Sequence, residues 1–324
     1  MKIVELMKQS VAKYDHNMNG DWVIAYSGGV DSRVMLDVLC SIKPDGKKIK
    51  LLHVNHGLNV LAEAWEHQAI ETAKIYGAEI KVAHLNMKDT SGIEEKAREL
   101  RYEFINANTK EGDILFMGHH KNDNAETILF RLFRGTGIKG LMGIPESRMM
   151  GNALLVRPML NVLRQDIKSY ALEKGLQWVE DDSNSDSKYS RNFIRNEVLP
   201  LVGGRWKAVI SNITALTEKA QEAESLLNEI AKEDLEAIKF VDKTGVSHND
   251  ILDMDKLKSL STSRMKNVLH RYVESIDEEN KGTKNFNNLL NVVLSENKNC
   301  SKLRKVQFKN GQLLTNGRKI WIEK

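Results

Sequence analysis

Cysteine is scarce: the 324 residues contain two, Cys40 and Cys300, far apart in the chain. They make no CxxC pair and no four-cysteine zinc or iron–sulfur site, and a reduced, cytoplasmic setting is the expectation. No apolar run reaches the ~20 residues that a membrane helix needs. The opening stretch MKIVELMKQS has no long apolar segment, so no secretory leader is expected. Internal repeats and low-complexity tracts are absent as well. Charge of neither sign dominates: the net charge is +4, with pI ≈ 8.8. That balance permits nucleic-acid binding without requiring it.

What remains is an ordinary globular composition, 41% hydrophobic and 28% charged. The length predicts two domains. Four apolar, β-branched runs alternate with helical periodicity: WVIAYSG (22–28), KIKLLHVNHG (48–57), AEIKVAHL (78–85) and DILFMGHH (113–120). The helical stretches between and after them are 31–42, 61–77, 92–108 and 124–135. This rhythm predicts right-handed crossovers and an α/β fold with a doubly wound parallel sheet. After Gly135 the rhythm breaks. GTGIKGLMGIP (135–145) reads as a loop able to move, LLVRPML (154–160) as an extended piece and 164–175 as a helix. From about Trp206 the chain reads as mainly helical, ending in the strand-like LRKVQFKN and RKIWIEK. The expected division is 1–205 and 206–324.

AYSGGVDSRV (25–34) stands at the first strand-to-helix junction. Two readings are open there. Glycine permits φ > 0 and Asp or Ser caps the helix, which makes a tight turn. Alternatively, the N–H groups of Gly28 and Gly29, with the dipole of the helix behind them, cradle a phosphate. The loop is neither G-x-x-x-x-G-K-[ST] nor G-x-G-x-x-G. Polar clusters follow two other strands: His53, Asn55 and His56 after the second, and His119, His120 and Asp123 after the fourth. In such sheets ligands sit beyond the strands' carboxyl ends, so this convergence favours the phosphate reading. Ser27 and Ser32 then supply hydroxyl donors and Asp31 suits Mg²⁺. The loop suggests ATP cleaved between its α- and β-phosphates.

Asp123 and Glu126 are three apart and share a helix face, fit for a cationic substrate or, less specifically, a surface acid pair or a helix N-cap. Arg191 and Arg195 suit either RNA phosphates or a helix-surface ion pair. Zinc at the four histidines is disfavoured, since no cysteine lies near. Seven Lys or Arg and no acid fall between Lys298 and Lys319, which fits a solvated face or an RNA-binding one.

S-G-G-x-D-S after a strand resembles the PP-loop of the N-type ATP pyrophosphatases. HVNHGL (53–58), EEKARELRY (94–102), GHHKNDNAETILFRLFRGTGIKGLMGIP (118–145), RPML (157–160) and SRNFIRNEVLP (190–200) narrow the resemblance to the tRNA(Ile)-lysidine synthetase family. It covers roughly residues 20–200; the C-terminal third is similar only as a helical substrate domain. The resemblance implies an adenine nucleotide alpha hydrolase-like fold. It implies ATP, Mg²⁺, L-lysine and an isoleucine tRNA with a CAU anticodon as cofactors and partners. The product is lysidine at the wobble cytidine, formed through an adenylated intermediate. It implies that Ser27, Gly28, Gly29, Val30, Asp31 and Ser32 bind ATP, that His53 and His119 line the nucleotide pocket, and that Asp31 holds the metal. Asp31, Arg98, Asp123 and Glu126 are the implied catalytic set, the two acids contacting lysine. A homodimer stays open. Where the family has His-His-x-Asp-Asp-Gln, this chain has Asn122 and Asn124 in place of an acid and the glutamine, which puts metal binding or loop ordering in question. The rivals are a tRNA thiolation enzyme, a small-molecule amidotransferase and a nucleotide-binding module without catalysis.

Overall fold

The computed structural model describes residues 2–16, 18–55, 57, 59–85, 93–180, 188, 190–241, 247–274, 283–295, 303–308 and 311–323. Two compact units divide them, Met1–Ala220 and Gln221–Lys324.

The first unit opens with α1 (Lys2–Asp15) and then alternates: β1 (Trp22–Ala25), α2 (Val30–Ile42), β2 (Ile49–Asn55), α3 (Ala62–Ile75), β3 (Glu79–His84), α4 (Ile93–Ala107), β4 (Ile114–Phe116) and α5 (Lys121–Phe133). A short α6 (Ile138–Leu141) leads into the antiparallel hairpin of β5 (Ser147–Met150) and β6 (Ala153–Val156), followed by α7 (Arg164–Glu173). The sheet order is β3-β2-β1-β4-β6-β5, parallel except at the β5 edge. The chain winds outward from β1 to β3 and then returns to β1's other side as β4. The topological switch point therefore lies between β1 and β4, where such folds place their ligands.

Alternation along the strands explains the layers. Trp22, Ile24 and Phe116 join one core with α1, α2 and α7 residues such as Met7, Val34 and Ile167. Val23 and Leu115 point to the other face and pack with Ile105 of α4. A sheet buried on both faces needs strands that are apolar throughout, and WVIA and ILF are. Trp22 and Phe116 meet edge to face, centroids 5.3 Å apart, across the β1–β4 pair.

Beyond α7 come α8 (Ser190–Phe193), a π-helical turn (Ile194–Val198), α9 (Leu199–Arg205) and the long α10 (Val209–Ile238), within which the division between units falls. The second unit adds β7 (Lys239–Val241), β8 (Ser247–Asp253), α11 (Met254–Ser259), α12 (Thr262–Glu274), α13 (Thr283–Ser295), β9 (Arg304–Phe308), β10 (Gly311–Thr315) and β11 (Lys319–Glu323). Its helices accompany a five-stranded sheet, β7-β8-β11-β10-β9. The strand-like tail segments supply β9 and β11, held by antiparallel pairing to β10. Of the basic tail, Lys298, Lys302 and Lys309 lie outside the described residues, while Lys319 sits 3.5 Å from the Phe240 ring centroid. Among the described residues no helix is long and apolar enough to cross a membrane.

Candidate functional site

The β1–α2 junction is a helix N-terminus reached through one left-handed residue. Gly28 has φ +86°, where a side chain is strained, and a Cβ there would stand 3.5 Å from Val179. The two serines organise the loop. Ser32 Oγ accepts from the Gly28 N–H (3.1 Å) and donates to the Gly29 carbonyl (3.0 Å). With its one proton spent, it accepts from Ser27 Oγ (3.1 Å), which itself accepts from the Gly29 N–H at 3.4 Å. The glycine amides expected to face a phosphate are therefore engaged by hydroxyls. The amides that open α2 are those of Val30, Asp31 and Ser32, since its first internal bond runs from the Arg33 N–H to the Gly29 carbonyl. The amides without an intrahelical partner are thus those of the helix end, beside its dipole, rather than those of the two glycines.

Asp31 sits in that first turn. Burial pushes its carboxyl above the ordinary range, and the nearby His120 charge opposes the shift. Its Oδ1 is buried and has no hydrogen-bond partner among the described residues. His120 Nε2 stands 3.7 Å from that oxygen, beyond hydrogen-bond reach. An orphaned carboxylate oxygen beside a phosphate-ready helix end fits Mg²⁺, which takes one or two carboxylates and completes its shell with phosphate oxygens and water. Among the described residues no group of three or more His, Cys, Asp or Glu could hold a metal ion.

His120 also begins α5. Its Nδ1 accepts from the Asp123 N–H (3.2 Å), while Asp123 Oδ2 accepts from the His120 N–H (2.9 Å), a reciprocal cap. The imidazole thus lies between Asp31 and Asp123. Burial pushes Asp123's carboxyl up, but attraction to His120 and Arg191 outweighs it and the net shift is downward. Glu126, one turn on, is buried, its side chain only 1% exposed. Both acids are occupied by arginines from α8 and the π-helical turn. Arg195 reaches Glu126 Oε1 (2.8 Å), Glu126 Oε2 (2.9 Å) and Asp123 Oδ1 (2.9 Å). Arg191 reaches Glu126 Oε2 and Asp123 Oδ1, both at 3.2 Å. Of the two roles open to these arginines, ion pairing is the one seen, across elements rather than along one helix.

His53 and His119 are neutral polar groups. His53 is buried and its Nδ1 meets the Tyr26 carbonyl at 3.0 Å, so this nitrogen donates and Nε2 is left to accept. Burial lowers its pKa. Burial also holds His119 at about 4, and its Nδ1 accepts from Arg157 Nε at 3.2 Å, which leaves the proton on Nε2. Arg157, itself lowered to about 10 by burial, donates in addition to the Pro145 carbonyl (2.7 Å). His56 lies outside the described residues. Arg98 lies on α4, and its side chain is likewise outside them.

Sequence reasoning missed several supports. Asn122 Oδ1 accepts from the Arg164 N–H at the start of α7 (3.1 Å). Asn124 Oδ1 accepts from the Ile144 N–H (2.7 Å), and a Cβ at Gly143 would stand 2.1 Å from that oxygen. Arg131 adds bonds to the Gly140 and Gly143 carbonyls, so the 135–145 segment is pinned to α5. The two asparagines that depart from the family pattern tie α5 to its neighbours. Their signal was present, as polar side chains in the first turn of α5 beside the acids, but the N–H groups that donate to them lie 20 and 42 residues away.

Known proteins bear on this geometry. A tRNA(Ile)-lysidine synthase of Pseudomonas fluorescens is 35% identical over 257 residues, covering 79% of this chain and 58% of that protein. One of Coxiella burnetii is 36% identical over 282 residues, covering 85% of this chain and 60% of that protein. The chain thus spans under two thirds of the length of these relatives. The solved U34-tRNA thiolase NcsA of Methanococcus maripaludis superposes with a TM-score of 0.56 at 15% identity, over 68% of this chain and 78% of that one, a likeness of fold alone. The PP-loop domain family matches residues 2–202. The switch-point loop with its open helix end lies within that span, and the chain belongs to the PP-loop domain family.

Proposed function

We propose that the chain is a ligase that joins L-lysine to carbon 2 of the wobble cytidine in an isoleucine tRNA with a CAU anticodon. The observation that carries this reading is the position of the His120 ring, whose nitrogens lie 3.7 Å from the Asp31 carboxylate and 3.3 Å from that of Asp123. One centre then serves both halves of the reaction. The relatives' shared name and their 31–37% identity support the same reading.

In the first half the cytidine O2 attacks the α-phosphorus of ATP, and pyrophosphate departs. The Val30, Asp31 and Ser32 amides bind the phosphate oxygens, where charge grows as the bond breaks. Bound by Asp31, Mg²⁺ would supply charge neutralisation at the departing pyrophosphate. His53 and His119, neutral at pH 7, offer an acceptor and a donor to the nucleotide. In the second half the ε-amine of lysine attacks carbon 2 and AMP leaves. Asp123 and Glu126 hold the positive amino acid. Their four oxygens already have partners, so lysine enters by exchange with a guanidinium. Arg191, with 47% of its side chain exposed against 20% for Arg195, is the one that yields. Residues 1–205 carry the ATP chemistry and 206–324 bind tRNA.

Cys40 argues against thiolation. It lies on α2, and burial pushes its thiol up to about 11, which keeps it unreactive at neutral pH. Incubation with ATP, labelled lysine and a CAU-anticodon transcript tests the proposal. Lysine incorporation that requires cytidine at the wobble position supports it. Pyrophosphate release that depends on sulfide or ammonia instead overturns it.

A further inference from the structure

A second concave surface adjoins the acid–arginine cluster. Between α5 and α8 lies a groove of about 550 Å³ lined by Phe130, Phe133 and Phe193, with Arg134 and Lys188 at its rim and Ile194 beneath. Phe133 is 64% exposed and Phe193 48%, while Ile194 is buried. Single exposed apolar residues are ordinary, but three aromatic rings gathered in one hollow are not. Among the described residues the lining holds two cations and no carboxylate. The Arg134 guanidinium carbon lies over the Phe130 ring, 5.1 Å from its centroid, a cation–π contact within the lining.

The groove continues the site along both walls. Asp123, Glu126, Phe130 and Phe133 are spaced three, four and three residues apart, one stripe of α5. From Glu126 to Phe133 the helix rises about 10 Å. On the opposite wall, Arg191 pairs with the acids and Phe193 lines the groove two residues later.

We propose that this groove seats an unstacked base of single-stranded RNA next to the nucleotide being modified. It rests on the tRNA reading above for which nucleotide that is. Aromatic faces accept any base by stacking, arginine planes stack likewise, and rim cations meet the polyanionic backbone. An apolar protein segment would make no use of the Arg134 and Lys188 cations in the lining. A reaction on one base requires its neighbours to be splayed and held, which such a platform does.

The test uses the full chain and a CAU anticodon stem-loop carrying fluorescent 2-aminopurine at each position flanking the target cytidine in turn. Wild-type protein should quench one of these probes on binding. Phe133→Ala and Phe193→Ala should each weaken RNA binding about ten-fold and lose the quench. Phe133→Tyr and Phe193→Tyr should restore both, and ATP affinity should hold throughout. Wild-type affinity and quench in the alanine variants overturn the proposal. So does a change in sedimentation that makes the groove a contact between copies. The two readings fail separately. Aromatic-dependent quenching without lysine transfer by wild-type protein defeats the ligase reading and leaves the groove. Lysine transfer with full RNA affinity in the alanine variants does the reverse.

Discussion

The α2 helix end and the α5–α8 cluster sit on either side of one histidine and are built in opposite ways. At the helix end, three first-turn amides have no intrahelical partner and Asp31 keeps a buried oxygen with no hydrogen-bond partner among the described residues. In the cluster, all four carboxylate oxygens of Asp123 and Glu126 are satisfied by Arg191, Arg195 and the His120 N–H. The open side is preorganised for a ligand rich in negative oxygens, which meets ready donors at little reorganisation. The filled side holds two buried acids that would be unfavourable without counter-charges, so any cation must replace one already there. Binding energy on the open side appears as affinity. On the filled side it appears as a difference between two cations, which is where selectivity comes from.

The sharpest way to break the comparison is at Asp31. If its orphan oxygen is where the metal and phosphates gather, Asp31→Ala should lower the rate of pyrophosphate release about a thousand-fold. Raised Mg²⁺ should not restore it. A loss below ten-fold would mean that the open side is not the reaction centre. Next in size is Arg195→Ala, which leaves Glu126 buried beside a single, more exposed guanidinium. Thermal unfolding should show a loss of about 3 kcal/mol, with partial recovery in Arg195→Lys. Asp31→Ala should show little such loss, because its buried oxygen has no hydrogen bond to lose among the described residues.

Acid should separate the sides as well. His119 titrates near 4 when folded, below its ordinary 6.5. The unfolded chain therefore binds a proton first as pH falls, and stability drops from about pH 6.5 downward until the folded histidine also titrates. At pH 5 this single group accounts for about 2 kcal/mol. The lowered pKa values of His53 and Asp123 act with the same sign. His119→Asn should flatten the acid limb of a stability–pH curve without abolishing it. An unchanged limb would show that Arg157 and burial do not hold His119 neutral.

How much of this was legible in the sequence depended on how local its cause was. The four strand–helix pairs were readable because burial on both sheet faces writes an apolar run and helices write a 3.6 period. Strand ends ran long by several residues, as in 113–120 against Ile114–Phe116, because Met117 to His120 leave the ladder as loop without a proline or charged residue to mark the break. Gly28 was visible as a turn, yet the hydroxyl bonds that turn its amide inward belong to side-chain geometry that no spacing encodes. Asp123 and Glu126 were visible as a face. Their partners Arg191 and Arg195 lie 65 to 72 residues on, and ion pairing at that separation leaves no period to read. The C-terminal sheet was visible only as two strand-like pieces, since antiparallel pairing with β8 and β10 is set by tertiary packing.

The smallest expected effects are the most discriminating, because they have opposite signs at neighbouring atoms. Asp123→Asn keeps an oxygen able to accept from the His120 N–H, so the α5 cap survives while the charge is lost. It should raise KM for lysine about ten-fold and leave ATP binding unchanged. Arg191→Gln removes the exposed competitor for the same acids while Arg195 still guards Glu126. It should lower KM for lysine about three-fold, the scale of a weak, solvent-screened ion pair. Steady-state kinetics at varied lysine and saturating ATP reads both. If Arg191→Gln instead raises KM for lysine, the guanidinium is a lysine contact, through the amino acid's carboxylate, and the exchange picture of the filled side fails even if Asp123→Asn behaves as expected.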